Sequence, residues 1–130
     1  MPGSLVVVNP SASRARDAST LAALTERIGQ VLCERDGTAP RIVETGQPED
    51  VRPLVTEAMD DGVAAVVGVG GDGTMRDIAG VLTGTDVPLG IVPAGTANQV
   101  AAALGIPRSP LEATDVLAAA TARAIDLGEV

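Results

Sequence analysis

Short apolar runs alternate along the chain with longer stretches in which apolar residues recur every three or four positions. The short runs are typical of buried strands, and the longer stretches are typical of amphipathic helices. The predicted strands span residues 5–9, 41–45, 63–69, 88–92 and 124–127. The predicted helices span residues 16–35, 48–59, 75–82, 97–104 and 111–122.

Strands that alternate with helices through short loops form βαβ units, and such units build a parallel sheet. The pattern therefore predicts an α/β fold, a three-layer sandwich in which helices cover both faces of a mostly parallel sheet. Ligands of such sheets bind in the loops that follow the C-terminal ends of the strands. Three loops of this kind are rich in glycine or polar residues: NPSASR after the first strand, GGDGT after the third, and PAGTANQ after the fourth.

Composition narrows the functions that the 130 residues can serve. Histidine is absent, so Ser-His-Asp catalysis and histidine metal sites are excluded. The net charge of −8 disfavours binding to nucleic acid or broad contact with an anionic membrane surface. We expect no signal peptide, because the first ten residues lack a charged region and a long apolar region, and no apolar stretch of the sequence is long enough to span a bilayer. The lone Cys33 is interpreted as structural. A cytoplasmic protein is the resulting expectation.

The GGDGT loop favours a phosphate ligand. Its glycines allow positive φ angles and a close approach of the backbone to a ligand. Thr74 is placed to cap the following helix, whose free N–H groups and dipole attract an anion. Asp72 would repel a phosphate unless a cation joins the two, so it indicates Mg²⁺ or phosphoryl transfer. The alternative is a tight turn in which Asp72 only caps backbone amides.

A second interpretation of the same stretch is a dinucleotide-binding fingerprint. Gly68, Gly70 and Gly73 spell G-x-G-x-x-G. That motif belongs after the first strand and requires an acidic residue about 20 positions later. Here it follows the third strand, and residues 89–104 contain no acid, so this interpretation is disfavoured.

The two other loops offer further ligand-binding groups. The first contributes Asn9, Ser11 and Ser13, and the third contributes Thr96 and Asn98 at the start of a helix. Either loop alone is typical of a capped turn. Three such loops at one edge of a sheet favour a shared nucleotide site.

The segments VVVNPSAS, VGVGGDGT, LGIVPAGTANQVAAALGIP and AIDLGEV together resemble the catalytic domain of the diacylglycerol kinase family. That family includes sphingosine kinases and bacterial lipid kinases and is related to NAD kinases. The resemblance implies an NAD kinase/diacylglycerol kinase-like N-terminal domain over residues 1–130. It implies an ATP-dependent transferase of phospholipid metabolism that phosphorylates a hydroxyl of a diacylglycerol- or sphingoid-type lipid, with ATP and Mg²⁺ as cofactors and this chain as its ATP-binding half.

Carried over position by position, the resemblance implies which residues form the site. Asp72 would serve catalysis and bind Mg²⁺, and Asp72 and Asp77 are the candidate bases near the loops. Glu44 and Glu49 are interpreted as solvated surface acids. The residues that would bind ATP are Asn9, Pro10, Ser11, Ala12, Ser13, Thr45, Gly70, Gly71, Asp72, Gly73, Thr74, Met75, Arg76, Thr96 and Asn98.

Three departures from the family pattern leave the activity open. Ser13 stands where the family has glycine, Arg76 and Asp77 stand where it has Asn-Glu, and Gln99 replaces an acid. The alternatives are an NAD kinase-like enzyme and a non-catalytic, regulatory nucleotide-binding module.

The family chain continues into a β-rich second domain that closes the cleft and binds lipid. We expect that domain to be missing here, and we expect the 130 residues alone to bind nucleotide weakly without turning over a lipid. Choice of lipid and peripheral membrane contact would then come from the missing domain, and homodimer formation is left open.

Overall fold

The computed structural model describes residues 3–9, 18–94, 99–107, 109–110 and 112–114. The strands are β1 (Ser4–Val8), β2 (Arg41–Glu44), β3 (Ala65–Gly70) and β4 (Leu89–Pro93). The helices are α1 (Ala18–Asp36), α2 (Val51–Asp60), α3 (Asp72–Leu82) and α4 (Gln99–Ala103), and a single 3₁₀ turn, Pro48–Asp50, leads into α2. The predicted strand 124–127 and most of the predicted helix 111–122 lie outside the described residues.

The four strands form one parallel sheet in the order β2-β1-β3-β4. The first strand of the chain therefore lies inside the sheet, where Val6 pairs with Ile42 on one side and with Val67 on the other. All five residues of β1 are buried, as expected of a parallel strand covered on both faces. The predicted α/β fold is confirmed, and the predicted strand limits agree within two residues.

Helices cover both faces of the sheet. In the part of the chain that the structure describes, α1 packs on one face, and α2 and α3 lie side by side on the other. The α1 face buries Val6, Val8, Leu21, Leu24, Ile28, Val31, Leu32, Val67, Val69, Val92 and Ala94. The opposite face buries Leu5, Val7, Val51, Val55, Ala58, Val66, Ile78 and Leu82, and beside it Met75, Ile91 and Ala101 form a smaller cluster under α4.

Strand β3 presents different residues to its two faces. Side chains alternate along a strand, so Val67 and Val69 face α1, whereas Gly68 and Gly70 face α3. A methyl group on Gly68 would lie 2.8 Å from both the Met75 Sδ and the Ile78 Cδ1 atoms. Glycine at this position therefore allows α3 to pack directly on the strand.

Positive φ angles occur at glycines that follow the ends of helices. Each of the four named helices is followed within two residues by a glycine with positive φ, such as Gly37 (φ 75°) and Gly84 (φ 80°). A glycine in this conformation ends a helix by satisfying its last carbonyl groups. In GGDGT, by contrast, Gly71 has a φ of −95°, and no glycine from 68 to 73 is among those with positive φ. The glycines of this loop therefore do not adopt the positive φ that their lack of a side chain allows.

Within the described part of the chain, no helix is both long enough and apolar enough to cross a membrane. Cys33 is exposed on α1 and forms no disulfide.

Candidate functional site

The carboxyl ends of the four strands meet at one edge of the sheet. Backbone hydrogen bonds extend the pairing one residue beyond the strands, so the first residues of the loops are held in register. Three such bonds, each 2.9 Å long, run from Asn9 N to Val69 O, from Thr45 N to Val8 O, and from Ala94 N to Gly70 O. These bonds place the first residues after β1, β2 and β4 in register with the end of β3, as the shared-site hypothesis requires.

A cleft of about 250 Å³ opens at this edge, between the ends of β1, β2 and β3 and the first turns of α2 and α3. It is lined by Asn9, Thr45, Gly46, Gln47, Val51, Gly71, Gly73, Thr74 and Asp77. Five of these are among the predicted nucleotide-binding residues. Gly46, Gln47 and Val51 were missed, because nothing in the sequence shows that the turn after β2 packs beside the GGDGT segment.

Helix α3 begins earlier than the sequence indicated. Gly71 alone separates β3 from the helix, which starts at Asp72 rather than at Met75. Thr74 is therefore a buried residue of the first turn, and the start of the helix has no side-chain cap. The prediction that Thr74 caps α3 was wrong. Gly71, Gly73 and Thr74 line the cleft, and the N–H groups of a first turn have no partner within their helix.

Two glycines of this segment differ in their surroundings. A methyl group on Gly70 would lie 2.9 Å from Thr74 Oγ1 and 3.3 Å from Asn9 Cβ, so Gly70 lets the first loop and α3 come together. A methyl group on Gly73 would meet nothing within 4 Å. Gly73 is thus an exposed position on the cleft wall where the fold itself does not require glycine.

The Asp72 carboxylate binds the backbone at the start of α4. Its Oδ2 atom accepts a hydrogen bond from the N–H of Gln99 (3.0 Å), and its Oδ1 atom accepts one from the N–H of Val100 (2.9 Å). Asp72 thus caps backbone amides, as in the alternative interpretation of its loop. The amides belong to a helix 27 and 28 residues further along the chain.

A magnesium site at Asp72 remains a prediction. Among the described residues, no group of three or more Cys, Asp or Glu side chains is arranged to hold a metal ion. Each carboxylate oxygen can accept more than one contact. The single carboxylate therefore fits a Mg²⁺ ion that takes most of its ligands from water and phosphate, as this ion commonly does.

Other predicted residues lie away from the cleft. Met75 is 2% exposed and packs under β4 and α4, so its side chain does not reach the cleft. Arg76 is exposed and does not line the cleft. Glu44 and Glu49 are exposed, as predicted. Pro10, Ser11, Ala12, Ser13, Thr96 and Asn98 lie outside the described residues.

Asp77 contributes the carboxylate of the cleft wall. It forms an ion pair with Arg52 of α2, with 3.6 Å between Arg52 Nε and Asp77 Oδ1. The two side chains are 58% and 33% exposed, so water weakens this interaction. Arg52 also crosses the outer surface of α3 at Gly80, where a methyl group would lie 2.8 Å from its Nη2 atom.

The parallel sheet and the glycine-rich start of α3 can be compared with those of known protein families. The chain matches the model of the diacylglycerol kinase catalytic domain over residues 3–130, and it belongs to that family.

Two curated relatives and one solved structure illustrate the similarity. The chain is 48% identical over 88 residues to "Probable lipid kinase YegS-like" of Pseudomonas fluorescens, which covers 66% of this chain and 29% of the relative. It is 42% identical over 86 residues to "Diacylglycerol kinase" of Mycobacterium tuberculosis, covering 65% and 28%. A crystal structure of a diacylglycerol kinase from Bacillus anthracis superposes with a TM-score of 0.72 at 24% identity, covering 90% of this chain and 42% of that one. The matched stretch spans less than a third of the length of these curated relatives.

Proposed function

We propose that this chain is the nucleotide-binding part of an ATP-dependent lipid kinase, which transfers a phosphoryl group to a hydroxyl of a diacylglycerol- or sphingoid-type lipid. The observation that carries the proposal is the meeting of three strand ends and the first turn of α3 around one cleft, in a chain of the diacylglycerol kinase family. The names of its relatives, lipid kinase and diacylglycerol kinase, support the choice of a lipid acceptor.

The cleft offers the groups that a nucleotide needs. The first turn of the eleven-residue helix α3 directs backbone N–H groups and the positive end of the helix dipole at the site, which favours a phosphate. Gly73 leaves room for that phosphate, because no side chain lies over it. Asn9, Thr45 and Gln47 line the cleft and carry hydrogen-bonding groups for the remainder of the nucleotide.

The charge of the phosphates requires a cation in this acidic chain. Bound Mg²⁺ would neutralise the phosphate oxygens during transfer. Asp72 is the residue that would hold it, and Asp77 adds a second negative charge on the cleft wall. Basic side chains do not line the cleft, so among the described residues the positive charge comes from the helix start alone.

Transfer to a lipid needs more than nucleotide binding. The acceptor hydroxyl must lie in line with the phosphoryl group, lose its proton and be shielded from water. The cleft lies at an open sheet edge, and we propose that these tasks fall to parts of the whole protein that extend beyond the matched stretch. For the 130 residues alone we expect binding of Mg-ATP and no phosphorylated lipid.

A labelling assay and a binding assay test the two halves of the proposal. A protein of the relatives' length that contains this chain is given radiolabelled ATP with diacylglycerol micelles, sphingosine micelles or NAD. Label in a lipid supports the proposal, and label in NAD would replace it with an NAD kinase. Nucleotide binding without label in any product would favour the regulatory module, and absence of binding would overturn all three.

Binding to the chain itself is measured by calorimetry with a matched pair of variants. Gln47→Ala removes an exposed amide from the cleft wall, and Gln30→Ala removes an exposed amide from α1 on the other face of the sheet. We expect a several-fold loss of Mg-ATP affinity for Gln47→Ala alone. Equal affinities for the two variants would mean that the nucleotide does not occupy this cleft.

A further inference from the structure

The wall of the cleft that α3 forms has two chemically different ends. Gly73 and Thr74 belong to the first turn of α3, and Asp77 lies one turn further along the helix. Residues three or four positions apart lie on one face of a helix, and all three residues line the cleft. Since four residues of α-helix span about 6 Å, a helix start and a carboxylate lie about that far apart on one wall.

The first-turn end of this wall has free hydrogen-bonding groups and a positive potential. The N–H groups of the turn have no partner within the helix, and the helix dipole is positive there. Thr74 is only 7% exposed, yet it lines the cleft and forms no hydrogen bond with the residues that the structure describes. Its Oγ1 atom lies over Gly70, where a methyl group would be 2.9 Å away. A phosphate at this end would therefore meet backbone donors and a free hydroxyl group.

The Asp77 end has the opposite character. Its carboxylate would repel a phosphate, and it is the acidic group among the described residues that line the cleft. The Arg52 Nε atom lies 3.6 Å from Asp77 Oδ1 and partly neutralises the charge, so a divalent cation is attracted less than it would be by an unpaired carboxylate. Each carboxylate oxygen can still accept further hydrogen bonds. A neutral ligand group that donates hydrogen bonds fits this end best.

The ribose of a nucleotide carries such donors at a matching distance. Its 2′ and 3′ hydroxyl groups lie on one edge of the sugar, which is joined to the phosphate through a single methylene group. The phosphate and these hydroxyls are thus separated by a distance comparable to one helical turn. Carboxylates also bind ribose hydroxyls in other parallel α/β folds.

We propose that Asp77 binds the ribose hydroxyls of the nucleotide, so that the cleft selects ribonucleotides over deoxyribonucleotides. This role rests on the proposed function and adds to it the orientation of the nucleotide, with the phosphate at the start of α3 and the sugar one turn further along. Arg52 contributes by holding one oxygen of the carboxylate and by reducing its repulsion of the phosphates.

The experiment compares ATP with its 2′-deoxy and 3′-deoxy analogues by calorimetry, each with Mg²⁺ and with EDTA. The proteins are the wild type, Asp77→Ala and the control Asp86→Ala, which removes the same charge from an exposed residue between α3 and β4. A site that hydrogen-bonds a hydroxyl group rejects the analogue that lacks it. The wild type and Asp86→Ala should bind at least one analogue about ten-fold more weakly than ATP, and Asp77→Ala should reduce this ratio to about two-fold or less.

Three results would overturn the role of Asp77 while the proposed function stands. The first is equal affinity of the wild type for ATP and both analogues, a comparison that needs no variant. The second is an Asp77→Ala variant that keeps the wild-type ratio. The third is a loss of affinity in that variant that is equal for all three nucleotides and confined to Mg²⁺, which would make Asp77 a ligand of the cation.

A wild type that binds none of the three nucleotides would overturn the proposed function itself, and the role of Asp77 with it. If Asp77→Ala does not fold, Asp77→Asn undergoes the same titrations. Its neutral amide oxygen accepts a weaker hydrogen bond than a carboxylate does, so its ratio should still fall below that of the wild type. An unchanged ratio in Asp77→Asn would then contradict the proposal.

Discussion

The two faces of strand β3 show how one short segment meets two different demands. On the α1 face, Val67 and Val69 fill the space between sheet and helix with branched side chains. On the α3 face, Gly68 and Gly70 have no side chains, and atoms of α3 occupy the space that side chains would take. The valine face builds a core, and the glycine face brings a helix start down to the sheet edge where the cleft lies.

The three glycines of the G-x-G-x-x-G pattern have different structural roles. Gly68 and Gly70 are required by the packing of α3, whatever the ligand is. A methyl group on Gly73 would meet none of the described residues within 4 Å, so their packing gives no reason for glycine there, and Gly73 lines the cleft of the proposed nucleotide site.

Shortening a buried side chain on α1 or α3, the helices that pack on β3, is expected to have the largest effect on stability. Ile28 of α1 and Ile78 of α3 are both fully buried, so Ile28→Ala and Ile78→Ala should each lower the free energy of unfolding by about 2–5 kcal/mol. Ile42→Ala on β2, where the side chain is 40% exposed, is the matched control and should cost about 1 kcal/mol or less. Urea denaturation measures all three, and a far smaller loss for Ile78→Ala would mean that the α3 face is loosely packed.

Adding a methyl group to the glycine face should have the next largest effect. Gly68→Ala places a methyl group against Met75 and Ile78 and should destabilise the protein by about 1–3 kcal/mol. Met75→Ala removes one of the obstructing side chains, so the double variant should be more stable than the sum of the single effects predicts. A double-mutant cycle measures this coupling, and we expect at least about 0.5 kcal/mol. Strict additivity would show that the contact with Met75 does not explain the glycine.

Gly73→Ala should affect stability and binding in opposite directions. Alanine is the better helix former, and nothing obstructs it, so the free energy of unfolding should rise by up to about 1 kcal/mol. The methyl group would occupy the cleft, so affinity for Mg-ATP should fall several-fold. Thermal denaturation and calorimetry on one preparation test both effects. Unchanged affinity would show that the nucleotide does not approach this part of α3.

The smallest effect is expected at Gly80, on the exposed side of α3. The obstructing atom there is the end of the flexible Arg52 side chain, so Gly80→Ala gains helix propensity and displaces a weak ion pair. The net change should stay within about 0.5 kcal/mol of zero. Melting temperatures of the wild type and the variant are compared at low and high salt. Because salt weakens the Arg52–Asp77 ion pair, the wild type should lose slightly more stability in salt than the variant does. A loss as large as that of Gly68→Ala would contradict the contrast between buried and exposed glycines.

Much of the fold could be predicted because apolar residues are spaced as their elements require. The spacing of Leu24, Ile28 and Val31 matches a helix face, and the unbroken run in β1 matches a strand covered on both sides. The start of α3 could not be predicted, because glycines have low helix propensity and local sequence does not show that β3 leads into the helix after one residue.

The site could be predicted only as a set of loops. Parallel strands imply that the loops after them converge, and Asn9, Thr45 and Thr74, from the loops after β1, β2 and β3, line one cleft. Most of the third predicted loop, PAGTANQ, lies outside the described residues. The partners of Asp72 could not be predicted, since its contact with Gln99 depends on β3 and β4 being neighbours in space. Gly46 and Gln47 were missed for a similar reason, because β2 reaches the cleft only through its pairing with β1.

The interior position of β1 bears on the order in which the sheet forms. Ser4 pairs with Ala65, whereas the partners of β3 and β4, such as Val66 and Leu89, are much closer along the chain. Closing a longer loop costs more entropy, so we expect β3, α3 and β4 to assemble before β1 inserts beside them. During synthesis β1 would then remain unpaired with β3 until about half of the 130 residues have been added. Pulse-labelled hydrogen exchange during refolding should protect the amides of β4 earlier than those of β1, and the reverse order would refute this sequence of events.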